Sequence, residues 1–158
     1  MRKTDRGANQ KKVSVLGNIK LCESSNDIGR VRLIERKYVL AASTHPGEER
    51  QIITEWLKIN EKRTLLVIVP RHPERLGDIL SDIPLSLVKI AIRSKKDKIR
   101  NNTQIYIADT IGELEDFLRY CEFVFMGGSL IDHGGQNFLE AASLGKSIIV
   151  GPYMYNFI

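Results

Sequence analysis

The sequence predicts an α/β domain with a doubly wound parallel sheet. Three observations predict this fold: apolar, strand-like runs alternate with helical patterns, the strands are apolar throughout, and polar or glycine-rich segments follow several strands. Strands that are apolar throughout are typical of a parallel sheet covered on both faces. Right-handed crossovers then give a Rossmann-like layer. The 158 residues suffice for one such domain.

The first half of the fold is set by two long apolar runs and the helices that follow them. The run at 38–42 predicts a strand, and a proline with two acidic residues then favours a helix at 47–60. The run at 65–69 predicts the next strand, and a second proline begins a short helix at 73–82. This half therefore reads as two strand–helix units.

The second half repeats the alternation with shorter elements. Strands are predicted near 86–90 and at 104–108, 123–126 and 147–150, and helices at 111–120 and 137–144. The basic segment 93–100 lies between two of these strands. It predicts a solvated loop rather than a nucleic-acid patch, because no aromatic residue is interleaved with its charges.

The charge and the amino terminus limit the class of protein. Residues 1–13 are polar and basic and predict a flexible leader ahead of a domain at 14–158. The net charge of +5 and the pI near 9.3 suit an anionic partner, whether nucleotide, nucleic acid or acidic membrane face. No apolar run approaches the roughly 20 residues that span a bilayer, and no secretory signal follows the basic start. We therefore expect a cytoplasmic domain without a transmembrane segment.

The cysteines and histidines predict neither a metal site nor a disulfide. Cys22 and Cys121 lie far apart and lack the spacing of metal ligands, so we expect reduced, structural thiols. His45, His72 and His133 are also far apart in sequence, and neither HExxH nor DxD occurs.

The glycine-rich run at 127–142 is the most informative stretch. It follows a strand pattern and opens into a helical one, which is where open α/β sheets bind ligands. Glycines let the backbone approach a ligand closely, and unpaired N–H groups at a helix start suit a phosphate. The spacing matches neither GxGxxG nor the Walker pattern.

The segment 43–49 follows the first strand and has two interpretations. Ser43 or Thr44 can cap the helix, whose dipole favours the glutamates that follow. Alternatively, these hydroxyls, the N–H groups and Glu48 contact a sugar or a phosphate at the end of the strand. The residues alone leave both interpretations open.

Arg71 follows the second strand at the same edge. An arginine there can hold a carboxylate or a phosphate with two parallel hydrogen bonds. The alternative is a solvated charge cluster at a helix start, in which Glu74 pairs with an arginine.

Two later segments have capping patterns. Asp109 or Thr110 can form a capping box with Glu113, and Asn137 can form another with Glu140. In the functional alternative, the two oxygens of Glu140 accept the two hydroxyls of a nucleotide ribose.

These segments, in this order, resemble the 3-deoxy-D-manno-octulosonic acid (Kdo) transferases of lipopolysaccharide synthesis. The similar runs are STHPGEE at 43–49, VPRHPER at 69–75, DTIGEL at 109–114 and GGSLIDHGGQNFLEAASLGKSIIVGP at 127–152. The resemblance covers about residues 16–157 and only the carboxyl-terminal, donor-binding half of that enzyme, a domain of the GT-B fold. Two residues depart from the family pattern: Ala108 replaces a glycine, and Phe138 replaces a proline.

The resemblance implies a set of donor-binding residues. The set comprises Ser43, Thr44, Glu48, Arg71, Thr110, Gly112, Gly128, Ser129, Gln136, Asn137 and Glu140. Arg71 is the implied anion-binding residue, and Glu140 the implied ribose ligand. CMP-Kdo has a single phosphate leaving group, which arginine and helix N–H groups can neutralise without an ion. We therefore expect no metal and no cofactor besides the donor substrate.

The family's reaction sets the expected function. The full enzyme moves Kdo from CMP-Kdo to a lipid A precursor at the cytoplasmic face of the inner membrane, and its general base is a glutamate of the amino-terminal half. We therefore expect a truncated donor-binding fragment, incomplete at its carboxyl terminus and inactive alone. An amino-terminal partner polypeptide would have to supply acceptor binding and the base, and no nucleic acid is involved. The alternatives are a fragment of a UDP-sugar enzyme of the same architecture, or a non-catalytic remnant or interaction module.

Overall fold

The computed structural model describes residues 31–59 and 63–157, which contain a six-stranded parallel sheet. The strands are β1 (Tyr38–Thr44), β2 (Leu65–Pro70), β3 (Ile90–Ile92), β4 (Ile105–Ile107), β5 (Val124–Met126) and β6 (Ile148–Ile149). Their order is β3-β4-β2-β1-β5-β6, and every neighbouring pair is parallel. The predicted leader at 1–13 and Cys22 lie outside the described residues, and the division of the chain at residue 14 stays a prediction.

Four α-helices connect the strands and cover both faces of the sheet. They are α1 (Glu48–Ile59), α2 (Leu76–Ser81), α3 (Leu114–Tyr120) and α4 (Leu139–Ser143), with short 3-10 turns at Pro73–Arg75 and Tyr155–Phe157. Among the described residues, none of the helices is long and apolar enough to cross a membrane.

The central strand β1 shows why its sequence is apolar throughout. Tyr38 and Leu40 point to one face, where they join a core that includes Phe117 of α3. Val39 and Ala41 point to the other face, in a core with helices α1 and α2. Apart from Ser43, each residue of β1 is therefore buried whichever face it takes. This arrangement confirms the doubly wound α/β fold predicted from the sequence.

The predicted boundaries fail at three elements, each for a local reason. The third strand is β3 at Ile90–Ile92 rather than at 86–90, because Leu87 N–H bonds to the carbonyl of Pro84 at 2.8 Å and closes a turn. Leu87 is 80% exposed, so an apolar side chain at the surface contributed to the incorrect strand prediction. Helices α3 and α4 begin two to three residues later than predicted, because side-chain hydrogen bonds hold the preceding segments as loops.

Arg36 joins the segments at the amino-terminal end of the sheet. Its guanidinium donates to the carbonyls of Thr103 at 2.7 Å, Arg63 at 2.8 Å and Thr64 at 3.3 Å. These carbonyls lie just before β2 and β4. One planar side chain with five donors thus closes this end of the sheet.

We expect Arg36→Lys to lower the free energy of unfolding by about 1–2 kcal/mol, because a lysine cannot reach several carbonyls in one plane. Urea unfolding followed by circular dichroism measures this loss. The control is Arg50→Lys on the exposed side of α1, which should stay within about 0.5 kcal/mol of the wild type. Equal stability of the two variants would contradict the role assigned to Arg36.

Candidate functional site

The candidate site lies where the direction of the sheet reverses, between β1 and β5. From β1 the chain proceeds to β2 on one side, and it returns only later to place β5 on the other side. The loops that leave the carboxyl ends of β1 and β5 therefore diverge and leave a crevice, which is the usual ligand position in such sheets. Gly127 N–H bonds to the carbonyl of Ala42 at 2.8 Å and holds the two loops together.

Glu48 is the residue that connects these loops. Its Oε2 accepts hydrogen bonds from the backbone N–H groups of Gly128 at 2.7 Å and His45 at 2.9 Å. Its Oε1 accepts from Ser129 and Leu130, both at 3.0 Å. The side chain lies in the first turn of α1 and is 0% exposed. The buried carboxylate thus accepts hydrogen bonds from four backbone N–H groups. Its position in the first turn of α1 is also favoured by the helix dipole.

This geometry gives Glu48 a role that the sequence did not indicate. Both of its oxygens are engaged by the glycine-rich loop, so the side chain orders that loop from inside the protein. Direct contact of Glu48 with a donor stays an untested prediction. The structure shows the residue as a positioning group for Gly128 and Ser129, which belong to the same predicted set.

A second buried glutamate joins β1 to the segment that follows β2. Glu49 accepts a hydrogen bond from Thr44 Oγ1 at 2.9 Å and pairs with Arg75 at 3.1 Å. This ion pair was not predicted; in the alternative interpretation of this segment, Glu74 pairs with an arginine. That alternative is wrong for Arg75, because Glu74 lies 3.3 Å from His72 Nδ1 instead. Only the fold brings α1 beside the end of the 3-10 turn.

Arg71 lies at the same edge and is exposed. Its backbone N–H bonds to the carbonyl of Thr44 at 2.9 Å, which fixes the residue beside the end of β1. The structure thus brings Arg71 next to Ser43 and Thr44, as predicted. Ser43 itself has a positive φ of 54° and is half-buried.

The three histidines converge in this crevice although they are distant in sequence. The ring centroids of His45 and His133 are 4.0 Å apart, and those of His45 and His72 are 6.2 Å apart. Gln136 Nε2 lies 2.8 Å from His45 Nε2, and because an amide nitrogen only donates, the ring nitrogen accepts. Sequence spacing carried no signal of this cluster.

His45 is the buried member of the cluster. Burial lowers its pKa from the ordinary 6.5, the neighbouring His133 lowers it further, and Glu48 acts in the opposite direction. Within residues 31–59 and 63–157, no group of three or more His, Cys, Asp or Glu side chains is arranged to hold a metal ion.

The loop after β4 is braced from the basic segment rather than by a capping box. Arg93 forms two hydrogen bonds with Glu113, at 2.6 and 3.1 Å, and Thr110 donates to the same carboxylate. The hydrogen bond from Arg93 lowers the pKa of Glu113. Asp109 accepts from the backbone and hydroxyl of Ser94. The capping alternative is therefore wrong here, because α3 begins only at Leu114 and has no side-chain cap. Gly112 is exposed with a φ of 88°.

The start of α4 likewise differs from the predicted capping box. Asn137 Oδ1 accepts the N–H of Leu139 at 3.0 Å, so the helix begins at Leu139 and Glu140 falls in its first turn. Glu140 is exposed. Ser129 is buried, and its hydroxyl donates to the carbonyl of Met126 at 2.5 Å and accepts from Gly151 N–H at 2.9 Å.

Every predicted site residue thus lies at the carboxyl end of β1 or in a segment that follows β1, β2, β4 or β5. The exposed members are Arg71, Gly112, Asn137 and Glu140. The buried ones, Thr44, Glu48, Gly128 and Ser129, form the internal framework of the crevice. His45, Glu49 and Arg75 complete that framework and were not predicted.

Comparison with known proteins confirms the resemblance to Kdo transferases. The chain is 33% identical over 161 aligned residues to the 3-deoxy-D-manno-octulosonic acid transferase of Haemophilus influenzae, an alignment that covers 96% of this chain and 38% of that protein. It is 34% identical over 139 residues to the probable mitochondrial enzyme of Arabidopsis thaliana, covering 85% of this chain and 31% of that protein. The chain therefore spans about a third of the length of these relatives. No family model matches it.

A solved structure agrees with this similarity. The C-terminal CMP-Kdo binding domain of WaaA from Acinetobacter baumannii superposes with a TM-score of 0.69 at 34% identity. The superposition covers 77% of this chain and 65% of that one.

We expect Glu48→Gln to lower the free energy of unfolding by about 3 kcal/mol or more, because the amide must direct N–H groups at backbone donors. Amide NMR shifts should change most at Gly128, Ser129 and Leu130. The matched control is Glu55→Gln, an exposed position of α1. Wild-type stability together with unchanged shifts in the loop would refute the positioning role.

Lowering the pH should destabilise the chain through His45. Because its pKa in the folded state is below 6.5, the unfolded chain binds more protons between that lower pKa and 6.5. The contribution of His45 to the free energy of unfolding is therefore full above this pH window and decreases as the pH falls through it. Urea unfolding between about pH 7.5 and about pH 5 should show this slope, and His45→Gln should flatten it. Glu113, with its pKa below 4.5, loses its contribution only at lower pH. An identical slope in the variant would exclude His45 as the cause.

Proposed function

We propose that this chain is the donor-binding part of a Kdo transferase and that it binds CMP-Kdo in the crevice between β1 and β5. One observation carries the proposal: the loops at this crevice contain the predicted donor residues, and the chain is similar over most of its length to a CMP-Kdo binding domain. The activity of a whole transferase, with its acceptor, is part of the proposal, because the chain spans only part of its relatives.

Charge supports an anionic donor. The two carboxylates nearest the crevice are committed inward, Glu48 to backbone N–H groups and Glu49 to Thr44 and Arg75. The exposed Arg71 remains at the edge, beside the imidazole of His72. A phosphate or carboxylate that binds at this edge can therefore contact Arg71 and His72, while Glu48 and Glu49 are hydrogen-bonded within the protein.

In the proposed reaction, these groups stabilise the departing CMP. Breaking the bond between Kdo and phosphate leaves negative charge on the phosphate oxygens. An arginine held at the end of a strand can neutralise that charge without reorganisation. Arg71 is the residue we assign to this task, and no metal ion is required for it.

Glu140 is assigned to the ribose of the donor. Its position in the first turn of α4, exposed and next to the glycine-rich loop, allows a carboxylate to accept two neighbouring hydroxyls. Thr110 and Gly112 follow β4 and would approach the nucleotide through their backbone. Their exposed loop is kept in place by Arg93 and Glu113.

Proton removal from the acceptor is not assigned to this chain. Of the glutamates at the crevice, Glu48 is buried and Glu113 is paired with Arg93. We propose that the general base and the binding of a lipid A precursor belong to a further, amino-terminal part of the enzyme. That part, rather than this domain, would place the enzyme at the inner membrane.

Titration calorimetry with CMP, UMP and AMP tests the proposed donor. We expect CMP to bind more tightly than either of the other nucleotides, because the donor carries cytidine, and we expect added chelator to leave its affinity unchanged. Tighter binding of UMP would favour a UDP-sugar enzyme. Equal responses to all three nucleotides, or loss of binding with chelator, would overturn the proposal.

Glu140→Gln separates ribose recognition from helix stability. Losing hydrogen bonds to a charged acceptor costs about 1.5–3 kcal/mol, so CMP should bind roughly tenfold or more weakly. The melting temperature should hardly change, because Glu140 is exposed and Asn137 holds the start of α4. Glu55→Gln serves as the charge-matched control. A variant with lower stability but unchanged affinity for CMP would show that Glu140 acts only in the helix.

A further inference from the structure

All three histidines of the chain lie together at the proposed donor site. His45 comes from the loop between β1 and α1, His72 follows β2, and His133 belongs to the glycine-rich loop after β5. Three separate segments thus deliver an imidazole to one place. Imidazole is the side chain whose charge ordinarily changes between pH 5 and 8.

The carboxylates around the cluster are engaged by other groups or exposed to water. Glu48 and Glu49 face His45 from α1, but backbone N–H groups hold the first and Arg75 holds the second. Glu74 lies 3.3 Å from His72 Nδ1 and is exposed to water, where ion pairs are weak.

Hydrogen bonding also opposes a proton on His45 in the empty site. Its Nε2 accepts from the Gln136 amide at 2.8 Å, so a proton there would require the amide to turn its oxygen inward. The centroids of the His133 and His45 rings are 4.0 Å apart, so protonation of both rings would place two positive charges close together.

We propose that binding of the donor's anionic groups is coupled to the uptake of protons by the cluster formed by His45, His72 and His133. The inference rests on the proposed function, because it takes the ligand to be a phosphodiester that also bears a carboxylate. Both of these groups stay charged between about pH 5 and about pH 8. They add negative charge beside the imidazoles to that of Glu48 and Glu49, so the occupied site binds more protons than the empty one. Donor affinity then rises as the pH falls.

Titration calorimetry with the methyl ester of CMP tests this coupling. The ester is a phosphodiester whose charge does not change over the range, so any proton exchanged belongs to the protein. Binding is measured near pH 6.5 in buffers of different ionisation enthalpy, which gives the number of protons taken up per ligand. We expect an uptake of about half a proton, which corresponds to roughly threefold tighter binding per unit decrease in pH.

The exposed His72 and His133 offer variants that do not disturb the core. His72→Gln and His133→Gln should each lower the proton uptake and flatten the pH dependence of the affinity, whereas Lys98→Gln, on the exposed basic segment, should change neither. Binding of the ester without proton uptake would overturn the coupling and leave the proposed function intact. Full uptake in both histidine variants would also overturn it. Failure of the ester to bind at every pH would overturn the coupling and the proposed function together.

Discussion

The rest of the site depends on the buried carboxylate of Glu48. Three backbone N–H groups of a loop that begins 80 residues later in the chain, and that of the nearby His45, converge on its two oxygens. A loop with several glycines has a large conformational entropy to lose, and no regular secondary structure holds it. A single charged acceptor at the start of α1 fixes it, because charge-assisted hydrogen bonds are stronger than neutral ones. The buried side chain of Glu48 thus determines the shape of the crevice.

The same arrangement decides the electrostatics of the crevice. Acidic residues are numerous near the ends of the strands, yet the nearest ones are used inward: Glu48 on backbone, Glu49 on Arg75, and Glu113 on Arg93. Arg71, His72 and His133 are exposed at this edge, beside the exposed carboxylates of Glu74 and Glu140. Because the buried carboxylates are engaged in framework contacts, the exposed arginine and imidazoles can contact an anion.

The framework also explains why glycine is needed at particular points of the loops. A Cβ on Gly127 would collide with the carbonyl of Ser43, and one on Gly151 with the carbonyl of Ser129. Both are contacts between backbones of adjacent strand ends, which cannot move apart without breaking the sheet. The close approach of the loops therefore accounts for these two glycines independently of any ligand.

The sequence by itself determined the parallel α/β fold, the order of its elements and the edge of the sheet that carries the site. Strand periodicity and the position of glycines after a strand are local properties, so they can be read without the fold. Tertiary structure alone decided which residues meet. Contact of Glu48 with a donor stays a prediction, whereas its hydrogen bonds from α1 to the glycine-rich loop became visible only in the structure. The clustering of the three histidines and the ion pair of Glu49 with Arg75 could not be predicted from the sequence. Contacts between distant segments depend on the strand order, which no local pattern encodes.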